Sequence, residues 1–343
     1  MKKIYFLIFI SGILLTAFST FTESLFKIPK GWPKPKYDFS KNPLSKEKIL
    51  LGRALFYDPV LSRDSTISCN SCHSQFTAFA HVDHTLSHGI NGIIGIRNAP
   101  ALMNLAWQNN FMWDGAINHL DMQPLAPISN SGEMNSNIDS VVIKLQRSKI
   151  YPELFYNAFK DSIVTGEHTL KAISQFMLTL ISCNSKYDSV MRKESVFTEQ
   201  ENNGYQLFRQ HCGSCHAEPL FSTYNFENNG LPVDTSLKDF GRMKITGNPV
   251  DSLRFKVPSL RNIEFSYPYM HDGRFKRLTD VLNHYTSGIQ HHKSLSKELE
   301  KSIVLTSNEK VDLIAFLLTL TDRNYFFDKS SAYPKEIFFP PKD

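Results

Sequence analysis

Apolar positions along this chain recur mostly at helical spacing. Behind Ser45, a residue suited to capping, Ile49, Leu50 and Leu55 fall on one side of a predicted helix. Thr198 and Glu201 make a capping box ahead of Tyr205 and Leu207. Thr306 or Ser307 starts a last helix with an apolar stripe of Val311, Leu313, Ile314, Leu317 and Leu318. A further helix over 172–182 carries Phe176, Met177, Leu178 and Leu180. Strict alternation, the mark of a half-buried strand, is scarce. Between the helices lie stretches rich in Pro, Gly and Asn, such as HGINGIIGIRNAP (88–100) and FENNGLPVDTSLKDFGRMKITGNP (226–249). They are too long for connectors and are expected to wrap a bound group.

The pattern is written twice. LGRALFYDPVLSRDSTISCNSCH (51–73) and NGYQLFRQHCGSCH (203–216) each run Gly-x-x-Leu-Phe and then Cys-x-x-Cys-His. AISQFMLTLIS (172–182) and LIAFLLTLTD (313–322) share Phe-x-Leu-Thr-Leu. One order of elements repeated in this way marks a duplicated unit. The expected fold is mainly α, with two small domains in tandem over 40–190 and 195–325, a boundary near 186–197 and a tail at 326–343.

Composition narrows this only a little. With 41% hydrophobic and 21% charged residues among 343, the chain has the make-up of a globular protein. A net charge of +5 without a Lys/Arg block gives no reason to expect a nucleic-acid partner. The first residues, MKKIYFLIFISGILLTAFST, have the layout of a signal peptide, residues 1–22, with cleavage near Ser19 to Glu23. The apolar run is shorter than the roughly 20 residues a spanning helix needs, so export is expected rather than an uncleaved anchor. No cysteine follows it to take a lipid.

Export sharpens the question of the five cysteines. An exported chain normally pairs its thiols, yet the count is odd, and four of the five fall in two Cys-x-x-Cys-His motifs. Zinc would want two close pairs feeding one site. A thioredoxin-type motif would sit near a βαβ pattern and has no use for the histidine. Covalent haem c attachment uses all three residues, two thiols on the vinyl groups and an imidazole on the iron. Chance would give about 0.003 such motifs for these counts of Cys and His. Two covalently bound haem c groups are therefore expected, on Cys69, Cys72 and His73 and on Cys212, Cys215 and His216, with both histidines as iron ligands. Cys183 is read as a buried free thiol without a role.

The runs GIRNAPALMN (95–104), NNFMWDGAINHLDMQPLAPISNSGEMN (109–135) and FKVPSLRNIEFSYPYMHDGRFKRLTDVLNHY (255–285) resemble the bacterial dihaem cytochrome c peroxidase superfamily, which includes the MauG-type enzymes. The resemblance runs from about Pro43 to Leu320 and implies two cytochrome c-like domains. It implies a periplasmic peroxidase that reduces hydrogen peroxide at the N-terminal haem. Electrons would come from a small periplasmic cytochrome c or cupredoxin, and a homodimer is compatible with it. Glu133 matches the family's distal acid/base glutamate, Gln123 its distal glutamine and Trp113 the tryptophan between the haems. Asn98, with the carbonyls of Ser266 and Pro268, matches an inter-domain calcium site. Read without the resemblance, Glu133 is a loop charge, Trp113 a core aromatic and Asn98 a turn residue.

Two departures bear on the activity. Where the peroxidase branch has a methionine as sixth ligand of the C-terminal haem, this chain aligns Tyr285, as the MauG branch does; Met270 is the main rival and Met243 is also nearby. Where many peroxidases have a removable distal histidine, the chain has Ile90, with His81, His84 and His88 close by. The N-terminal iron is expected to be open, with His88 as the alternative ligand. Two other functions stay in view. One is a MauG-like oxidase that forms a high-valent state and oxidises residues of a partner protein. The other is a non-catalytic electron-transfer dihaem cytochrome.

Overall fold

The computed structural model describes residues 25–340, so the expected signal segment 1–22 lies outside the described residues. Helices start where local capping places them. Ser45 accepts from Lys48 N at the head of Lys46–Tyr57, and Thr165 from His168 N at the head of Gly166–Leu178. Capping boxes of Thr198 with Glu201 and Thr306 with Glu309 open Glu199–His211 and Ser307–Leu318. Among the described residues the only strands are Phe226–Glu227 and Phe255–Lys256, a short antiparallel pair. The fold is mainly helical, with long irregular loops.

The long helices pack in two pairs, Lys46–Tyr57 with Gly166–Leu178 and Glu199–His211 with Ser307–Leu318. Each pair closes on the glycine of the repeated Gly-x-x-Leu-Phe motif. A Cβ on Gly52 would lie 1.8 Å from Ala172 O, and one on Gly204 1.9 Å from Asp312 O. The phenylalanines of the two motifs then meet, with ring centroids 5.1 Å apart for Phe56–Phe176 and 5.1 Å for Phe208–Phe316. The duplication in sequence is thus a duplication in packing. A glycine admits the partner backbone, and an aromatic pair fills the space beside it.

Around these pairs lie two apolar clusters, one including Leu51, Leu55, Phe79 and Phe155, the other Phe221, Leu282, Leu313 and Leu320. The buried faces differ in part from the stripes read in the sequence. In the last helix Leu313, Phe316 and Leu317 are buried, while Val311 is 53% and Leu318 40% exposed. In the first, Leu51 and Ala54 are fully buried, and Ile49 and Leu50 only half so.

The end of the chain returns to the first half. Tyr325 and Phe326 sit in the first cluster. Gln75 Nε2 donates to Asp328 O at 2.8 Å and Tyr57 Oη to Ser331 O at 2.8 Å. Arg53 reaches Ser330 O at 2.8 Å and pairs with Glu336. Residues past 325 therefore strap the first helix rather than trail from the second half. Tyr187, conversely, belongs to the second cluster. Next to it Arg261, fully buried, holds Asp188 through two bonds of 2.8 and 2.9 Å, its guanidinium 4.7 Å from the Trp32 ring. No helix among the described residues is long and apolar enough to cross a membrane.

Candidate functional site

The two Cys-x-x-Cys-His motifs adopt one local geometry. His73 N donates to Cys69 O and His216 N to Cys212 O, both at 2.9 Å, so each histidine ends a single helical turn that begins at its first cysteine. The imidazoles are fixed in the same way. His73 Nδ1 faces Phe79 O at 2.8 Å, and His216 Nδ1 faces Phe221 O and Pro258 O at 3.1 Å each. An Nδ1–H donating to carbonyls selects one tautomer and presents the Nε2 lone pair to a metal. Burial, more than any other cause, pushes both imidazoles down to about 4, so both are neutral and able to ligate at neutral pH.

No disulfide joins any of the five cysteines, and Cys183 is half-buried. Burial raises the Cys69 and Cys212 thiols to about 12 and the Cys72 thiol to about 11. The negative charge of Glu133 adds to this at Cys69 and Cys72. The two motifs fit haem c: paired neutral thiols one turn apart, and an adjoining imidazole with Nε2 available.

Glu133 stands close enough to the first motif for its charge to reach both thiols. Its Oε1 accepts from Asn130 Nδ2 at 2.7 Å, and burial raises its carboxyl above the ordinary carboxylate range despite that bond. The loop is pinned by its main chain. Ile90 N donates to Glu133 O at 2.8 Å, and a Cβ on Gly89 would sit 2.3 Å from Glu133 O. Ile90 itself is buried. Gln123 turns its Nε2 to Met112 Sδ, 3.7 Å away, next in sequence to Trp113.

Trp113 joins the two halves of the chain. Its Nε1 donates to Asn98 O at 2.8 Å and its carbonyl accepts from Lys256 N at 2.7 Å. Beside these bonds are two half-buried basic side chains that the sequence reading missed. Arg97 binds Asp114 at 2.6 Å and Asp239 at 2.6 and 2.8 Å. Lys256 Nζ donates to Gln108 Oε1 at 2.8 Å and Asn110 O at 2.9 Å, and burial brings it down to about 7. Asn98 gives Nδ2 to Thr85 O at 3.1 Å, which leaves Oδ1 for another partner. Thr85 and the buried Pro268 line one cavity of about 200 Å³, and the half-buried Ser266 lies two residues before Pro268.

Around the second motif, Tyr285 and Met270 converge on a residue the sequence did not single out. Asn229 Nδ2 lies 3.5 Å from Tyr285 Oη and 3.4 Å from Met270 Sδ. Tyr285 sits where the helix Leu278–Asn283 widens into a π-turn over His284–Gly288, a distortion frequent at functional sites. Burial raises its phenol to about 12, with smaller additions from Cys212 and Cys215, so the hydroxyl is within reach of that cysteine pair. Met243 begins a separate short helix, Met243–Thr246. An asparagine in a Gly-containing loop reads as a turn residue, so nothing in the sequence marks Asn229.

The family model described as di-haem cytochrome c peroxidase matches residues 46–196. The methylamine utilization protein MauG of Methylorubrum extorquens is 36% identical over 310 residues, covering 87% of this chain and 84% of that protein. The cytochrome c551 peroxidase of Nitrosomonas europaea is 34% identical over 284 residues, 81% of each chain. Among solved structures, a MauG-like protein associated with microbial copper homeostasis superposes with a TM-score of 0.80 at 32% identity, covering 90% of this chain and 99% of that one. The diheme peroxidase BthA of Burkholderia thailandensis shares the fold, with a TM-score of 0.71 at 22% identity over 85% of this chain and 90% of its own.

Proposed function

The chain belongs to the di-haem cytochrome c peroxidase family, and on that premise we propose that it is an exported enzyme that reduces hydrogen peroxide to water with electrons from a small redox protein. It is an oxidoreductase of the peroxidase type. We read it as two cytochrome c-like units in tandem, over about 40–190 and 195–325, with the segment past 325 strapped over the first. The observation that carries the reading is the repeated site itself: two neutral thiols and an imidazole whose Nδ1 is tied to carbonyls, in both halves.

Haem c, bound through Cys69, Cys72 and His73 and again through Cys212, Cys215 and His216, would supply redox-active iron at both sites and a binding position for peroxide at the first. Glu133 takes the proton from the near oxygen of peroxide and returns it to the far oxygen as the O–O bond breaks. Asn130 holds the carboxylate in place, and burial gives it the raised proton affinity such a relay needs. Gln123 orients the peroxide. Two electrons and two protons turn one peroxide into two waters. Electrons would pass singly from the His216 site to the His73 site by way of Trp113, whose indole donates to Asn98 O in the first half and whose carbonyl accepts from Lys256 N in the second.

An iron held at His216 would take Tyr285 as its second protein ligand, with Met270 as the alternative; the burial of the phenol beside the Cys212–Cys215 pair supports it. As a ligand the phenol would give up its proton. A haem held at His73 would keep its far side open, because Ile90 N is bonded to Glu133 O and the His88 ring lies against those of His81 and His84. Asn98 Oδ1 with the carbonyls of Ser266 and Pro268 would hold calcium, a hard cation suited to such oxygens. Tyr285 also favours a second reading, a MauG-like oxidase that withdraws electrons from residues of a partner protein. Tyrosinate is a hard anionic donor and stabilises oxidised iron more than a thioether does.

The test is peroxide turnover by the haem-loaded protein with a reduced small cytochrome or cupredoxin. Sustained oxidation of the donor supports the peroxidase. Consumption of peroxide without donor oxidation supports the partner-protein oxidase. No reaction with peroxide would leave an electron carrier.

A further inference from the structure

Outside the residues given a role above, three histidines of one loop point at a common centre. The ligand atoms of His81, His84 and His88 all lie within 4.8 Å of one another. The rings are 4.9 to 5.3 Å apart between centroids and meet at 45°, 67° and 83°, so they converge at steep angles rather than stack.

The loop that carries them is held from several sides. Ser87 N donates to Arg97 O at 2.9 Å and Gly95 N to Ser87 O at 2.7 Å, a short hairpin around His88. Thr85 O accepts from Asn98 Nδ2, and a Cβ on Gly273 would come within 2.2 Å of it. His81 is buried, and its Nδ1 is enclosed without a hydrogen-bond partner. A buried polar nitrogen left unpaired is destabilising. A cation bound by the neutral imidazoles would give the enclosed nitrogen a partner.

We propose that His81, His84 and His88 form a three-imidazole site for a first-row transition-metal ion of the copper and zinc class, separate from both haem-binding motifs. Metal–nitrogen bonds of about 2.0–2.1 Å put tetrahedral ligand atoms roughly 3.4 Å apart, a closure that side-chain rotation supplies. An all-imidazole set suits copper and zinc, whereas calcium and magnesium want oxygen. Only three protein ligands converge, so a fourth position is left to water or an incoming ligand. His84 is exposed and lines the cavity shared with Thr85 and Pro268, which gives the ion a way in. The site adjoins the first motif, because the Cys72 thiol faces His88 O at 3.6 Å.

The experiment uses untagged, haem-loaded protein stripped with a chelator and titrated with Zn(II) by calorimetry and with Cu(II) by EPR. One ion per chain is expected, with nitrogen hyperfine structure on the copper signal. His84→Asn and His88→Asn are each expected to lower the affinity at least about tenfold, a loss that even changes around a metal's ligands reach. His84→Asn should leave the haem absorption spectrum unchanged, which shows that the variant is folded. Absence of stoichiometric binding, or binding untouched by both substitutions, overturns the proposal. So does a haem spectrum that changes when His88 alone is replaced, together with metal affinity that does not.

Discussion

Trp113 donates its indole N–H to the main-chain oxygen of Asn98 over 2.8 Å. The bond links the aromatic residue proposed to carry electrons to the residue proposed to hold calcium, and the Trp113 carbonyl is in turn taken by Lys256 N. The ring therefore has a fixed position relative to loops of both halves.

Replacing Trp113 by Phe keeps most of the ring and removes one hydrogen bond, so stability should fall by only about 1 kcal/mol. If electrons pass through the indole, kcat with a reduced cytochrome should fall at least about tenfold with both haems retained. Steady-state turnover beside a haem count separates that loss from misfolding.

Glu133→Gln keeps the shape and the Asn130 contact but cannot take a proton. The peroxide reaction should slow by about 10²–10⁴-fold. In the wild type the carboxylate is the active form and burial raises its pKa. The rate should therefore rise with pH through a midpoint above that of an ordinary glutamate and fall as pH drops through it. The variant should lose this dependence. Stopped-flow rates across pH check both points.

Gly52→Ala and Gly204→Ala test the duplicated packing. The added carbons would lie 1.8 and 1.9 Å from main-chain oxygens, so the helix pairs must separate. Each should destabilise by about 1–3 kcal/mol, the usual range for overpacking, or somewhat more. Gly132→Ala, whose added carbon meets nothing nearer than 3.5 Å, should stay within about 0.5 kcal/mol. Thermal unfolding of the haem-loaded proteins measures all three.

Much of this architecture is legible in the sequence because it is written in local chemistry. Caps at Ser45, Thr198 and Thr306 need only the next three residues, and the Cys-x-x-Cys-His spacing of Cys69, Cys72 and His73 lies within five residues. What escapes the sequence is non-local. Helical spacing marks Val311 and Leu318 as apolar, but only the approach of Gly204 to Asp312 decides that the Leu313–Phe316–Leu317 face is the one covered. Nothing near Tyr325 says that it returns to the first cluster. Asn130 and Asn229 look like turn residues until their amides are seen against Glu133 and Tyr285. The histidines at 81, 84 and 88 are visible as neighbours in sequence, but their convergence is a property of the folded loop.

Arg261→Met should be among the most damaging changes away from the proposed haem sites. It leaves the Asp188 carboxylate buried without its partner, at a cost of about 3–5 kcal/mol. Burial alone would raise that carboxyl, but Arg261 outweighs it and the net shift is downward. A folded-state pKa below the unfolded one makes the contribution present at neutral pH and lost as pH falls through the folded value. Denaturant unfolding at several pH values should show the variant deficit shrinking in acid. A second change, Asp188→Leu, should recover much of it.

The central claim is that the chain holds two haem c groups with different far sides, one open above His73 and one closed by Tyr285 above His216. Low-temperature EPR of the diferric protein tests it most directly, with wild type beside Tyr285→Phe, before and after one equivalent of hydrogen peroxide. The account predicts one high-spin and one low-spin signal, the low-spin one altered by the substitution and both lost in the wild type on adding peroxide. Two low-spin signals, indifferent both to the substitution and to peroxide, would contradict it.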